Sequence, residues 1–360
     1  MKHLLYFCSG NYQKYKFFSI VVGTIETGIH RQSIRIGKVT FSQLPLILAP
    51  MEDITDPPFR QLCKEMGADW VYTEFISADG LIRDSDKSLH KLDIYPEERP
   101  VSIQLFGAHT DAMVGAAMAA EEAAPDFIDI NFGCPVRKVA SKGAGSGIMN
   151  DIPKMEEMTR RIVKAVDLPV TVKTRLGYDR ERQQIVEIAE RLQDCGIAAL
   201  AIHGRTRCQM YRGTADWKLI GDVKNNARMH IPIIGNGDIC DGPATFEAFE
   251  KYQVDGVMIG RACIGNPWIF REIRHYLSTG EQLPPPGLKE RLEVCRRHID
   301  LSVKWKGEKT ALYEMRKHYS NYFRGIPGFK PYRVRLVTAG SLDELHQVLN
   351  DIEHAFVPNQ

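Results

Sequence analysis

No two cysteines of this chain stand in the Cys-x-x-Cys spacing that zinc, iron–sulfur or thioredoxin-like sites use, although eight are spread along it, at 8, 63, 134, 195, 208, 240, 263 and 295. A metal centre is therefore not expected. Thiols scattered this way over 360 residues fit a reducing, cytoplasmic setting better than a disulfide framework. Uninterrupted apolar runs are short: none reaches the ~18 residues of a membrane-spanning helix, so no membrane partner is expected. Two phosphate-binding signatures are missing as well. There is no dinucleotide fingerprint, and Lys142-Gly143-Ala144-Gly145-Ser146-Gly147 does not have Walker spacing. That glycine-rich stretch reads as a flexible segment near Cys134, a candidate lid. Residues 1–33 mix Lys2, Lys14 and Lys16 with aromatics but show neither one clean apolar core nor a small-residue cleavage site. They read as a poorly ordered extension rather than a secretory signal.

Net charge is only +2, yet it is unevenly placed: residues 287–335 hold thirteen Lys/Arg against five Asp/Glu. Aromatics interleave with these cations through Arg316-Lys317-His318-Tyr319, Tyr322, Phe323, Arg324, Phe329, Lys330, Tyr332, Arg333 and Arg335. Such a surface suits a phosphate backbone and unstacked bases; a solvated helix face with core aromatics gives the same pattern.

From Leu44 onward, short apolar runs alternate with helical stretches. The runs are 46–50, 70–74, 101–106, 127–131, 170–175, 199–203, 231–236 and 256–260, each far enough from the next for a helix and two loops. They are apolar on both faces, as strands of a buried parallel sheet are. Residues 111–124, 153–166 and 182–195 read as intervening helices. Eight such units predict an α/β chain folded as a TIM (β/α)8 barrel over residues 34–282. Leu283-Pro284-Pro285-Pro286-Gly287 is a linker, and residues 288–360 carry three helix patterns (288–303, 310–323, 342–356) and no strand signal. A small C-terminal helical bundle is expected there.

In such a barrel, chemistry sits at the C-terminal strand ends. Those ends carry Pro50-Met51-Glu52-Asp53, Glu74, Gln104, Asn131 with Cys134, Lys173 with Arg175, His203 with Arg205, Asn236-Gly237-Asp238 and Gly260-Arg261. Asn131-Phe132-Gly133-Cys134-Pro135 places a thiol on a stiff turn just as its strand leaves the sheet. Cys134 can serve there as proton donor or nucleophile, or be a buried small residue. Lys173 reads as a Schiff-base former, a fixed cation beside an anionic ligand, or half of an ion pair. Gln104 offers a donor and an acceptor to an imide edge such as a flavin or a uracil, or serves the core. His203-Gly204-Arg205-Thr206 can bind phosphate, donate to a carbonyl or cap a helix. The glycines at the last two strand ends, with Arg261, suit phosphate binding or turns alone. A phosphate pocket, a central Lys and an imide-reading Gln together are what flavin mononucleotide (FMN) requires. A cysteine opposite the ring then suits reduction of a polarised C=C bond.

Ala49-Pro50-Met51-Glu52-Asp53-Ile54-Thr55-Asp56, Gln104-Leu105-Phe106-Gly107, Asn131-Phe132-Gly133-Cys134-Pro135, Val172-Lys173-Thr174-Arg175, His203-Gly204-Arg205-Thr206, Asn236-Gly237-Asp238 and Gly260-Arg261-Ala262 closely resemble the tRNA-dihydrouridine synthases. The resemblance runs from about Ile34 to about Leu349. It implies an enzyme that uses FMN, with NADPH or NADH as reductant, to reduce uridine in tRNA to 5,6-dihydrouridine. By motif match, Pro50, Met51, Glu52, Gln104, Lys173, His203, Asn236, Gly237, Asp238, Gly260 and Arg261 would hold FMN. Cys134 would give a proton to uracil C5 while hydride goes to C6. Asn131, Arg175 and Arg205 would meet the substrate. A flipped-out base is implied, tRNA is the partner, and one chain, a monomer, suffices. Rival readings are an FMN-dependent reductase of free pyrimidines or enones, a Schiff-base aldolase using Lys173, and a non-catalytic RNA-binding barrel.

Overall fold

The computed structural model describes residues 33–357, so the expected N-terminal extension lies outside the described residues apart from Ser33. A hairpin of β1 (Ile34–Ile36) and β2 (Val39–Phe41) comes first. The barrel strands are β3 (Leu46–Leu48), β4 (Val71–Tyr72) with its short continuation β5 (Ile76–Ser77), β6 (Val101–Phe106), β7 (Phe127–Asn131), β8 (Val170–Arg175), β9 (Ala199–His203), β10 (Ile233–Asn236) and β11 (Gly256–Ile259). They pair in parallel in the order β3-β11-β10-β9-β8-β7-β6-β4. The ring closes where Ile47 bridges Trp70 and the Leu48 N–H donates to the Trp70 carbonyl at 2.9 Å. This is the TIM barrel expected from the sequence.

Helices α1 (Pro57–Glu65), α2 (Ala78–Leu81), α3 (Asp86–His90), α4 (Thr110–Glu122), α5 (Arg137–Ala140), α6 (Ile152–Ala165), α7 (Ile185–Asp194), α8 (Trp217–Lys224), α9 (Gly242–Tyr252) and α10 (Ile269–Thr279) fill the crossovers. Three start in the same way. Asp56, Asp151 and Asp241 each accept a first-turn N–H through the carboxylate, and a proline follows within the first two helical positions. The acid satisfies an orphan donor, and proline has none to lose there.

Side-chain parity along the strands sorts two cores. Ile128, Ile130, Val170, Val172, Leu200 and Ile202 face outward and pack under the helices. Ile47, Trp70, Tyr72, Phe127, Ala199, Ala201, Ile234 and Met258 face inward and fill the barrel interior. Phe41 of the hairpin stacks on Trp70 at 5.8 Å and belongs to the same cluster. The strands are not apolar on both faces, as expected from the runs alone. Above Phe127 the inward face of β7 carries Asp129 and Asn131, and β8 carries Thr171, Lys173 and Arg175. The interior changes from apolar to polar toward the C-terminal mouth.

After α10 the chain runs without helix or strand through 281–287 into α11 (Leu288–Lys306), α12 (Glu308–Tyr322), α13 (Lys330–Thr338) and α14 (Leu342–Phe356). Helix α13 is not foreseen in the sequence, because it has no apolar stripe and buries only Leu336. The aromatics of this region mostly pack inside it: Tyr319, Tyr322, Phe323 and Phe329 are buried with Leu292, Ile299 and Leu345. They are core residues, not a stacking surface for bases. The helical region is seated on the barrel by buried polar contacts. Lys306 lies between Asp56 and Glu314, the Gly265 N–H donates to His318 Nδ1 at 3.1 Å, and Asn321 Nδ2 donates to the Ile264 carbonyl at 2.7 Å. Phe59 of α1 packs against His298 and His318 at 5.3 and 5.0 Å.

Candidate active site

Cys134 sits one turn beyond β7. Asn131 Oδ1 accepts from the N–H groups of both Gly133 and Cys134, each at 2.9 Å, so the last strand residue folds the turn back on itself. Arg175 Nε donates to the Gly133 carbonyl at 2.7 Å, and its Nη1 reaches the carbonyls of Thr206 and Met210. The glycine-rich segment after the cysteine is packed, not a free lid. Residues Gly145–Met149 are buried, and Ser146 donates to the Cys134 carbonyl from both Oγ (2.7 Å) and N–H (3.1 Å). At Gly145, where φ is +53°, an added Cβ would lie 2.9 Å from Cys134 Cβ. The glycines here permit close approach.

Cys134 is 7% exposed. Burial pushes its thiol up, against the Val136 N–H and the Arg175 charge. A thiol in that state is protonated at neutral pH, which suits a proton donor better than a nucleophile. Lys173 of β8 is half-buried, and among the described residues its ammonium has no hydrogen-bond partner. Burial and then Arg175 pull it down to about 8, while Asp129 and Cys134 oppose. Wholly buried Gln104 donates through Nε2 to Asp129 at 2.7 Å and accepts at Oε1 from Asn131 at 2.9 Å.

On the next strand, β9, His203 is buried and pairs in register with Arg175. Burial, then Arg175, Lys173, Arg205 and Arg261, hold its imidazole well below the usual range, so the ring is neutral. Arg205, expected to meet substrate, is occupied otherwise. Its guanidinium is buried and bound to both oxygens of Asp238 (2.9 and 2.7 Å) and to the carbonyls of Arg212 and Gly213. Asp238 also takes Arg261 Nη2 at 3.2 Å. Asn236 is tied through Nδ2 to the Met258 carbonyl, and the Gly237 carbonyl accepts from Trp217 Nε1 at 2.9 Å. Gly237 takes φ +129°, and a Cβ there would fall 2.7 Å from Ala215 and 3.1 Å from His203.

Pro50 and Met51 follow β3, where the Met51 N–H donates to Thr55 Oγ1 at 3.0 Å. Glu52 forms an ion pair with Lys91 at 2.7 Å. Glu52, Asp53 and Glu74 form an acidic cluster whose charge Lys91 and Lys317 offset. Two residues in or near the site lie outside the sequence reading. Tyr211, 49% exposed, carries the guanidinium carbons of Arg261 and Arg175 at 4.9 and 5.8 Å from its ring centre. Asp129 is fully buried beside Gln104, its register partner on β6. Strand parity could have found Asp129, since it shares the inward face with Asn131. No local signal marks Tyr211.

A family model described as dihydrouridine synthase matches residues 47–357. Among curated proteins, the chain is 41% identical over 303 residues to tRNA-dihydrouridine synthase B of Pseudomonas putida, covering 84% of this chain and 89% of that one. It is 40% identical to tRNA-dihydrouridine synthase B of Xanthomonas campestris pv. campestris (83% of this chain, 90% of that one). It is 38% identical to a probable tRNA-dihydrouridine synthase of Rickettsia bellii (83% and 91%). Among solved structures it resembles a histamine dehydrogenase from Rhizobium sp. 4-9, with TM-score 0.54 and 12% identity. A 2-naphthoyl-CoA reductase is similar at TM-score 0.53 and 14% identity. The match to the histamine dehydrogenase spans 75% of this chain and 50% of the other, and that to the reductase 68% and 52%; both show the fold alone.

Proposed function

Because the chain belongs to the dihydrouridine synthase family, we propose that it reduces the C5=C6 bond of uridines in tRNA to 5,6-dihydrouridine, with Cys134 as the proton donor. The observation that carries this reading is the protonated, turn-held Cys134 thiol beside the unpartnered Lys173 ammonium at the barrel mouth.

The residues present fit FMN. Lys173 is a half-buried cation free to meet an electron-rich ring edge. Gly260, where an added Cβ would meet only Ala49 and Met51 at 3.8 and 3.9 Å, leaves room for close approach beside Arg261, and Met51 and Ala49 add apolar surface. Lys173, His203, Asn236 and Arg261 would hold it by side chain, Pro50, Met51, Glu52, Gly237 and Gly260 by backbone or packing, and Asp238 by aiming Arg261; Gln104, wholly buried with both ends of its amide taken by Asp129 and Asn131, has no exposed atom to offer it. Bound there and reduced by NADPH or NADH, FMN supplies the hydride for uracil C6. The chain does the rest. Cys134 gives its proton to C5, and the thiolate left behind lies in the field of Arg175 and Lys173. Neutral His203 donates a hydrogen bond without adding charge to a wall already crowded with arginines. Asn131 and Arg175 keep the thiol turn fixed against the base.

Uridine stacked in tRNA cannot reach this mouth, so the base must be flipped. Exposed cations of the helical region would hold the RNA. Fewer are free than the charge count suggests: Arg296, Arg297, Lys306, Lys317 and Arg335 are paired with acids. Among the cations not paired with an acid, Lys309 and Arg316 lie on an exposed face of α12 beside Tyr313, which is 64% exposed. Seven cysteines without disulfides among the described residues agree with a cytoplasmic setting.

The test is anaerobic. FMN-loaded protein is reduced with NADPH, and unmodified tRNA is added. Flavin reoxidation with dihydrouridine in the tRNA is expected. Reoxidation by free uracil but not by tRNA would replace the reading with a pyrimidine reductase.

A further inference from the structure

Asp129 lies in the barrel interior on β7, wholly buried, two residues before Asn131 on the same strand face. It ends a chain of hydrogen bonds that leads to the thiol. Thr171 Oγ1 donates to Asp129 Oδ1 at 2.5 Å, and Gln104 Nε2 donates to Asp129 Oδ2 at 2.7 Å. Asn131 Nδ2 donates to Gln104 Oε1 at 2.9 Å, and Asn131 Oδ1 accepts from Gly133 and Cys134. We propose that Asp129 is a positioning residue: as the terminal acceptor of this chain, it fixes which way the amides of Gln104 and Asn131 face, and so holds the Cys134 turn for proton delivery.

The polarity argument is closed at both ends. An amide side chain has two ends of nearly equal shape and opposite hydrogen-bonding character, so packing alone does not orient it. Burial pushes the Asp129 carboxyl up to about 6, with Thr171, Gln104 and Lys173 opposing, so at neutral pH it only accepts. It therefore takes the Gln104 NH2 group. The Gln104 oxygen is left for the NH2 group of Asn131, and the Asn131 oxygen for the turn. At the far end, two backbone N–H groups can only donate. Turning either amide over would set donor against donor, or acceptor against acceptor, among buried side chains. The register makes the chain possible, since Gln104 pairs with Asp129 across β6–β7 and Asp129 with Thr171 across β7–β8.

The inference rests on the reading of Cys134 as proton donor, but its test does not need tRNA. Alkylation of the buried Cys134 by iodoacetamide is followed peptide by peptide on the full chain, because Cys208 and Cys240 are exposed and react as well. Asn131→Ala and Asp129→Leu are each expected to speed alkylation about tenfold as the turn loosens, and the double variant to react no faster than the faster single one. Asp129→Asn is expected to react within about twofold of the parent, because its oxygen still accepts from Gln104 while its NH2 group donates to Thr171. A parent-like rate for Asp129→Leu, multiplicative effects in the double variant, or an Asp129→Asn that behaves like Asp129→Leu would each overturn the proposal. Asp129→Ser replaces Asp129→Leu if circular dichroism shows the latter unfolded. If the parent protein made no dihydrouridine, the proposed function would fall and the alkylation cycle would still decide the role of Asp129.

Discussion

Lys317 Nζ of α12 lies 2.8 Å from the Asp53 carboxylate, so the helical region holds the loop that leaves the first barrel strand. Asp53 takes φ +56°, a left-handed conformation, and its N–H donates to Glu74 at 2.5 Å. Three residues on, Asp56 caps α1 and meets Lys306. The loop that would floor the cofactor is thus gripped by barrel and helical region together.

The two lysines should differ sharply in worth. Lys306 is buried between Asp56 and Glu314, whereas Lys317 and Asp53 are both more than a third exposed in the side chain or nearly so (34% and 43%). Lys306→Ala leaves buried carboxylates uncompensated and should cost about 3–5 kcal/mol. Lys317→Ala should cost less than about 1 kcal/mol. Urea unfolding of the two variants checks this; equal costs would mean the junction is not the fixed contact described.

Cys134→Ala should bind FMN like the parent and lose dihydrouridine formation by about 10²–10⁴-fold, because only the proton donor is gone. Flavin fluorescence measures the first and nucleoside analysis of the tRNA the second. Normal turnover by this variant would move the proton donor elsewhere.

Activity should fall as pH rises through about 8. Lys173 is charged below that value and neutral above it, and Arg175, Asp129 and Cys134 are the charged or titratable groups that set it. The Asp129 carboxylate favours the ammonium, so Asp129→Asn should move the alkaline limb to lower pH. Rates of flavin reoxidation across pH 6–10 test the sign. A limb that stays put in Asp129→Asn would take Lys173 out of the profile.

Binding of tRNA should weaken steeply with salt. Replacing Lys309 and Arg316 together by Ala should reduce the slope of log K against log salt by about two, if each neutralises one phosphate. An unchanged slope would place the RNA on another face of the helical region.

Much of the architecture is legible in the chain. The eight apolar runs coincide with barrel strands to within a few residues, since buried strands bounded by turn residues leave a strong local signal. The strand-end polar groups are mostly gathered at one mouth, as parallel strands require. Other features depend on partners far along the chain. The glycine-rich stretch reads as flexible until Ser146 is seen to hold Cys134. Arg205 reads as a substrate contact until Asp238, thirty-three residues on, takes its guanidinium. The aromatics among the basic residues read as a stacking surface until Leu292 and Leu345 are seen to cover them.

The strand–helix alternation, the turn chemistry at Cys134 and the motifs that mark the family are written in the chain, because these are local patterns of polarity, proline and glycine. The wiring of the site follows from long-range pairing instead. Gln104, Asp129, Asn131 and Thr171 come from three neighbouring strands, and each reaches its partner only in the observed parallel register. A slip of one residue would turn the inward face outward, and that choice is made by packing of the whole barrel, not by any single run.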